Sequence, residues 1–200
     1  MTQPDLFALE AVVVAQPKRS KWRRYTGPVL AVSTVEGTPL AQVTDVNHKH
    51  FFLTETSGEF IVRIEKRSWF DPFEQFGPVR FHFMDFIDGA DREVGTAAAR
   101  GLVKSRQLSL RTERGRRLLL TRQGQLSVEW HLTEADPAGG PAPEILGRVT
   151  VSTIDSWTGL QQYDVEMTHH LDASERQTVV ASVVCLHLIR RPPGEGSGVA

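Results

Sequence analysis

The chain is poor in several features at once. Its 200 residues include one cysteine, Cys185. No disulfide framework can form, and a reducing compartment is expected. Charge of either sign is nearly cancelled, with 23 Lys+Arg against 24 Asp+Glu and a net charge of −1. No global field therefore draws the protein to a polyanion. No apolar run reaches the roughly 20 residues that span a bilayer. The start, MTQPDLFALE, has neither the basic opening nor the apolar core of a signal peptide. Signatures of chemistry are missing as well: there is no Gly-x-Ser-x-Gly elbow and no glycine-rich phosphate loop. With no nucleophile–base constellation, neither an enzyme nor a cofactor is expected.

What is present is 40% apolar and 24% charged, an ordinary balance for a globular domain, at a length that suits one domain. The charge is unevenly placed. Lys18, Arg19, Lys21, Arg23 and Arg24 give +5 within seven residues, and 100–122 sums to +7, so the remainder sums to −13. The second stretch contains Lys104, Arg106, Arg111, Arg114, Arg116 and Arg117. One reading is charge that keeps strand edges and hairpins from pairing between molecules. The other is a basic surface for anionic lipid, with these residues as its contacts. No base-reading helix or stacking motif accompanies them, so nucleic acid is not an expected partner.

One segment dictates the rest. From Leu171 to Arg191 the chain reads LDASERQTVVASVVCLHLIRR, and between Val179 and Ile189 only Ser182 and His187 are polar. At 100° per residue the apolar positions encircle a helix and leave no face for water. Asp172 with Glu175 three residues on resembles a capping box, and Arg190, Arg191, Pro192, Pro193 and Gly194 supply a cationic end and a stop. A buried strand is the competing reading of the valine-rich run. A helix over about 172–190 that is apolar on all sides has to be wrapped by the preceding chain.

That chain repeats a strand, a glycine-bearing turn and a strand. Turns are expected at Glu36–Gly37, Ser57–Gly58, Asp88–Gly89 and Arg114–Gly115, with a longer Pro/Gly loop in LTEADPAGGPAPEILGRV. Phe60, Val62 and Ile64 alternate with charged residues, Phe81 and Phe83 share a side, and Leu126, Val128, Trp130 and Leu132 share another. One strand over Leu9–Ala15, five hairpins and a strand over Gln161–Thr168 make twelve. A closed antiparallel barrel removes sheet edges and leaves an interior to fill. The expected fold is mainly β: a 12-stranded antiparallel barrel enclosing one apolar C-terminal helix, with residues 1–8 a flexible lead-in, 9–191 the domain and 192–200 a disordered tail.

Other side chains fit local roles. His48 and His50 would share a strand face near Asp45, as exposed turn histidines or as a metal pair. His169–His170 sits at the strand-to-helix junction. His187 reads as a hydrogen-bonded core histidine and Cys185 as a small buried hydrophobe. Asp88 and Asp91 suit local bonding in a turn. Trp69–Phe70–Asp71–Pro72–Phe73 with Phe76 reads as a connection packed over one barrel end, or as a loop that inserts at a membrane interface.

The opening LEAVVVAQPKR resembles the first strand and Gln-Pro-Lys turn of phospholipid scramblase-related proteins. Trp157 and Gly159, Tyr163–Asp164–Val165, and Leu171–Asp172 before the apolar helix resemble the end of such proteins. The likeness extends over roughly 9–190 and belongs to the wider superfamily of Tubby C-terminal domains and LURP-one-related proteins. It implies a 12-stranded barrel around a central C-terminal helix, and it implies contact with membranes. Scramblases are described as moving phospholipids between leaflets under calcium, and Tubby domains bind phosphoinositide headgroups. If Tyr163 holds the aromatic position of the calcium segment, its two acidic positions fall on Gly159 and Gln161. Neither supplies a carboxylate, so calcium control is not expected. The resulting expectation is a non-enzymatic cytoplasmic module that binds anionic phospholipid headgroups at the membrane periphery. A soluble scaffold acting through protein contacts is the alternative.

Overall fold

Each glycine-bearing turn of the sequence joins two antiparallel strands. The computed structural model describes residues 5–18, 28–71, 79–100, 107–124, 127–135, 143–155 and 160–190. The strands are β1 (Ala11–Ala15), β2 (Leu30–Ser33), β3 (Pro39–Asp45), β4 (His50–Glu55), β5 (Phe60–Asp71) and β6 (Val79–Ile87). They continue with β7 (Glu93–Arg100), β8 (Gln107–Thr112), β9 (Arg117–Arg122), β10 (Glu129–Glu134), β11 (Gly147–Asp155) and β12 (Leu160–Met167). The helix α1 (Ala173–Arg190) follows. Neighbouring strands pair in sequence order, and β1 closes the barrel on β12, with Ala11 opposite Glu166 and Ala15 opposite Gln162. This is the expected 12-stranded antiparallel barrel.

The alternation decides what faces inward. β8 is alternately exposed and buried along its whole length, and Val12, Val14, Val62, Ile64, Leu118 and Leu120 all lie in the core. Against them lies α1. From Thr178 to Leu188 every residue is buried, Ser182 and His187 included. The two polar groups are satisfied inside: Ser182 Oγ donates to the Val179 carbonyl at 2.7 Å, and the Tyr163 hydroxyl lies 3.2 Å from His187 Nδ1. The helix runs closest to β7 and β8. There the inward residues of β7 are Gly95, Ala97 and Ala99, small enough to let the helix approach. A Cβ at Gly95 would sit 2.9 Å from Thr178 Oγ1.

Four hairpin turns share one hydrogen-bond pattern. The residues Thr34, Glu55, Asp88 and Thr112 each accept, at their carbonyl, the N–H three residues on, and donate to the carbonyl four residues on. The fourth residue of each turn has positive φ. It is Gly37 (89°), Gly58 (92°) and Gly115 (81°), but Asp91 (62°) in the β6–β7 turn. Gly89, the glycine expected there, is not in that position. Asp tolerates the left-handed region when short-range bonds support it, and Asp88 Oδ1 supplies them by accepting the N–H groups of Ala90 and Arg92.

Three further expectations need adjustment. The loose lead-in does not include the residues from Asp5 on: Leu6–Ala8 forms a 3₁₀ turn, and Leu6 is buried. Val128 shares its strand phase with Trp130 but lies beyond the start of β10, and it is 54% exposed while Trp130 is 2%. Trp69–Asp71 is not a loop. It is the last part of β5, paired with β6 from Asp71↔Val79 inward. Leu126 and the tail 192–200 lie outside the described residues.

The enclosure of α1 predicts the outcome of a single charge. Val183→Asp places a carboxylate where there is no water and no partner, and should cost more than about 4 kcal/mol. Thermal or urea unfolding checks it. A folded Val183→Asp variant with near wild-type stability would refute the buried helix.

Candidate functional site

The two ends of the barrel differ in kind. At the entry end, where α1 begins, lie the four hairpin turns, the β10–β11 connection and the 3₁₀ turn. The strand directions put the β1–β2, β3–β4, β5–β6, β7–β8, β9–β10 and β11–β12 connections at the exit end, where α1 finishes.

The entry end is an ionic clasp on the helix start. The capping box is real: Asp172 Oδ1 accepts the Glu175 N–H at 2.9 Å, and Glu175 Oε2 accepts the Asp172 N–H at 3.1 Å. Burial pushes the Asp172 carboxyl up. The Glu175 N–H, the Ser174 hydroxyl and Arg114 outweigh it, and its pKa falls below the ordinary 3.8. Arg114 reaches it at 2.6 Å, and Arg116 joins Glu175 at 3.1 Å and Glu134 at 2.7 Å. Arg176, only 7% exposed, contacts main chain instead. It donates to the carbonyls of Leu171 (3.0 Å), Ala8 (3.0 Å), Leu9 (3.2 Å) and Thr168 (3.3 Å). Buried charge without hydrogen bonds is costly, and these carbonyls replace water around the guanidinium. They also tie the N-terminal segment to α1.

This geometry divides the basic residues expected to meet lipid. Arg111 pairs with Glu93 at 2.6 Å on the outer wall, Arg114 and Arg116 hold α1, and Arg117 opens β9 at the same end with interactions of its own. Lys18 is exposed and follows β1 at the opposite end. The two basic stretches therefore do not converge as wholes. Arg19, Lys21, Arg23, Arg24, Lys104 and Arg106 lie outside the described residues. The strand ends that flank them, on β1, β2, β7 and β8, are all at the exit end.

Exposed side chains give the ends opposite characters. The entry end presents Glu36, Glu59, Asp91, Glu113 and Glu144 beside the exposed arginines Arg92, Arg114 and Arg117, an acidic but mixed surface. Among the described residues, the exposed ones at the exit end include Lys18, His48, Lys49 and Arg67 and no carboxylate. That end also exposes Val46 (55%), Val128 (54%) and Ile154 (42%). No pattern in the sequence flagged these three, because strand phase alone does not show where a strand stops.

The remaining candidates resolve as local structure. His48 sits in the β3–β4 turn, its Nδ1 2.8 Å from Asp45 Oδ2, while His50 opens β4 beside Asn47. Among the described residues no group of three side chains is placed to hold a metal ion. His169 and His170 are exposed, with ring centroids 4.0 Å apart. A shallow groove at the entry end runs between Glu10, Arg148, Glu166 and His169, and its mixed charges select no single ligand class. Cys185 is fully enclosed, and burial pushes its thiol well up. On the outer wall, burial also raises the Asp85 carboxyl, opposed by Arg67 and reinforced by Glu93 and Glu65.

The molecule is thus a closed β-barrel plugged by its own helix, with its functional surface left to the outer wall and the end connections. In comparisons with known proteins no family model matches the chain, and no curated protein or solved structure matches it.

The two shifted carboxyls predict opposite pH effects. Asp172 is lowered in the fold, so its contribution is present above the ordinary carboxylate range and is lost as pH falls through its native value. Asp172→Ala should cost about 1–2 kcal/mol at neutral pH and progressively less in acid. Asp85 is raised, so its penalty is present at neutral pH and vanishes below the ordinary value. Asp85→Asn should be at least as stable as wild type at neutral pH and lose that advantage in acid. Melting temperatures across this range check both signs.

Proposed function

We propose that this barrel is a non-enzymatic, membrane-peripheral module that binds anionic phospholipid headgroups with its exit end. The observation that carries the reading is the contrast between the ends. Exposed lysines and exposed Val46, Val128 and Ile154 lie together at the exit end, while at the entry end exposed carboxylates outnumber the exposed arginines Arg92, Arg114 and Arg117, of which Arg92 and Arg114 are paired with Asp88 and Asp172. An anionic bilayer attracts the first arrangement and repels the second. Apolar residues among cations also suit the boundary between headgroups and acyl chains.

Two further points support the reading. The helix fills the barrel, which leaves the exterior as the place for a ligand. The order of features resembles that of scramblase-related chains, and a barrel around an enclosed helix is the architecture that likeness implies. Fold alone does not carry activity, so lipid transfer between leaflets is not part of the proposal. Among the described residues no helix is long and apolar enough to cross a membrane, a statement that concerns helices only.

Sedimentation with vesicles tests this. At low salt the protein should pellet with phosphatidylcholine–phosphatidylserine vesicles and stay in solution with phosphatidylcholine alone. Lys18→Gln and Lys49→Gln should each weaken binding about fivefold, from roughly 1 kcal/mol per surface cation. Glu113→Gln at the entry end should leave it unchanged. Equal behaviour with neutral and anionic vesicles would end the proposal.

A further inference from the structure

In the β3–β4 turn of the exit end, apolar, cationic and titratable side chains follow one another. It reads Val46–Asn47–His48–Lys49–His50. Polar side chains hold its main chain in shape. Asp45 Oδ1 accepts the His48 N–H at 2.7 Å, and Asn47 Oδ1 accepts the N–H groups of Lys49 (3.1 Å) and His50 (2.9 Å). The Lys66 N–H donates to the Lys49 carbonyl at 2.7 Å and ties the turn to β5. His48 takes the left-handed region, with φ 61°, which His enters more readily than most non-glycine residues. Its side chain is 70% exposed, and Val46 and Lys49 are exposed beside it.

Both imidazoles can gain a proton without rearrangement. A carboxylate only accepts hydrogen bonds, so the 2.8 Å contact of His48 Nδ1 with Asp45 Oδ2 places a proton on Nδ1 and leaves Nε2 to take the second. His50 Nδ1 lies 2.9 Å from Asn47 Nδ2 and 3.0 Å from Asn47 Oδ1, a donor for the neutral ring and an acceptor for the charged one. The charged groups around the two rings come from β3, β5 and the turn itself. His48 meets Asp45 of β3. His50 Nε2 lies 3.9 Å from Glu65 Oε1 of β5, which Arg63 Nε holds at 2.9 Å, and Arg67 stands 3.8 Å from the other Glu65 oxygen. Lys66 follows on β5, in the inward phase of Ile64, and Lys49 lies between the rings. The Asp45 and Glu65 side chains are only 14% and 20% exposed, so the turn shows water mainly apolar and cationic groups. Protonation of both rings raises the charge between Val46 and His50 from +1 to +3.

We infer that the β3–β4 turn is a proton-tuned membrane contact: Val46 enters the headgroup layer of an anionic bilayer, and His48 and His50, once protonated, join Lys49 against its phosphates. This rests on the proposed lipid binding and adds which turn makes contact and what strengthens it. Apolar side chains among cations suit the boundary between headgroups and acyl chains, and histidine is the side chain that changes charge between about pH 8 and 5. Because binding and protonation are linked, the anionic surface in turn favours the proton.

The test is sedimentation of the full chain at low salt with phosphatidylcholine–phosphatidylglycerol vesicles, whose charge does not change between the two conditions, about pH 7.5 and about pH 5.5. At roughly fivefold per surface cation, wild type should bind about tenfold or more tightly in acid. His48→Asn/His50→Gln should bind like wild type at the higher pH and lose most of the rise; Asn still tolerates the left-handed position. The entry-end pair His169→Gln/His170→Gln should keep the rise. An environment-sensitive thiol dye supplies the location. Cys185 is buried with its thiol pKa raised, so a cysteine introduced at the surface reacts ahead of it. On Val46→Cys the dye should shift to the blue with these vesicles in acid, and on Glu113→Cys it should not. If wild type binds equally at both pH values, if the His48→Asn/His50→Gln variant keeps the rise, or if the dye at 46 stays in water, the inference is overturned and lipid binding stands. If wild type sediments at neither pH, both fall. If phosphatidylcholine alone pellets the protein in acid, the rise reports exposed core rather than charge, and the inference is wrong.

Discussion

A helix with no polar face is the constraint on which this structure depends. Val179, Val180, Val183, Val184 and Leu186 point in different directions around α1, and each is 2% exposed or less. The hydrophobic effect cannot be satisfied for such a helix by one flat sheet, because a sheet covers one side. A closed wall covers all of them. Closure in turn pairs every strand on both sides and removes the edges that would otherwise invite aggregation. Plug and wall thus solve each other's problem. The wall would be hollow without α1, and α1 would be insoluble without the wall.

The helix start is where this arrangement meets water, and polar interactions concentrate there. Asp172 and Glu175 cap α1, and Arg114 and Arg116 clamp the caps from the β8–β9 turn. Arg176 gathers carbonyls from the N-terminal segment and from the turn before the helix. The segment before β1 and the start of α1 are joined through one buried guanidinium. The consequence for function is that basic residues at this end are already engaged. A clasp of this kind has little left over for an external anion, which is why the opposite end carries the proposed contact surface.

That surface also follows from the barrel's geometry. Four tight turns with a left-handed fourth residue sit at the entry end, and among the described residues the exit end has one left-handed residue, His48 in the β3–β4 turn. An even number of alternating strands puts the start of β1 and the end of β12 at one end, which sends α1 inward from there. Strand lengths then decide what protrudes. β4 starts at His50 while β5 runs on to Asp71, so Trp69–Asp71, which read as part of a loop over the barrel mouth, are strand paired with β6.

Much of this was legible without coordinates. Period-two alternation, regularly spaced turns and an all-apolar helix are local patterns, and burial turns them into strand count, barrel and plug with few alternatives. The capping box was legible for the same reason, since its partners are three residues apart. The helix-cap partners of Arg114 and Arg116 were not. They lie 58 and 59 residues away, and an ion pair depends on distance in space rather than along the chain. Whether the basic runs formed one patch was therefore open in the sequence, and the fold gave some of their members to the helix cap and set Lys18 at the other end. Likewise the left-handed position of the β6–β7 turn passed from Gly89 to Asp91, because the register of the flanking strands, not the nearest glycine, sets which residue must take it. The sequence alone determined that a helix would be enclosed by twelve strands. Only the tertiary structure decided which charges were spent on closing that enclosure and which remained at the surface, because that choice depends on which strand ends meet.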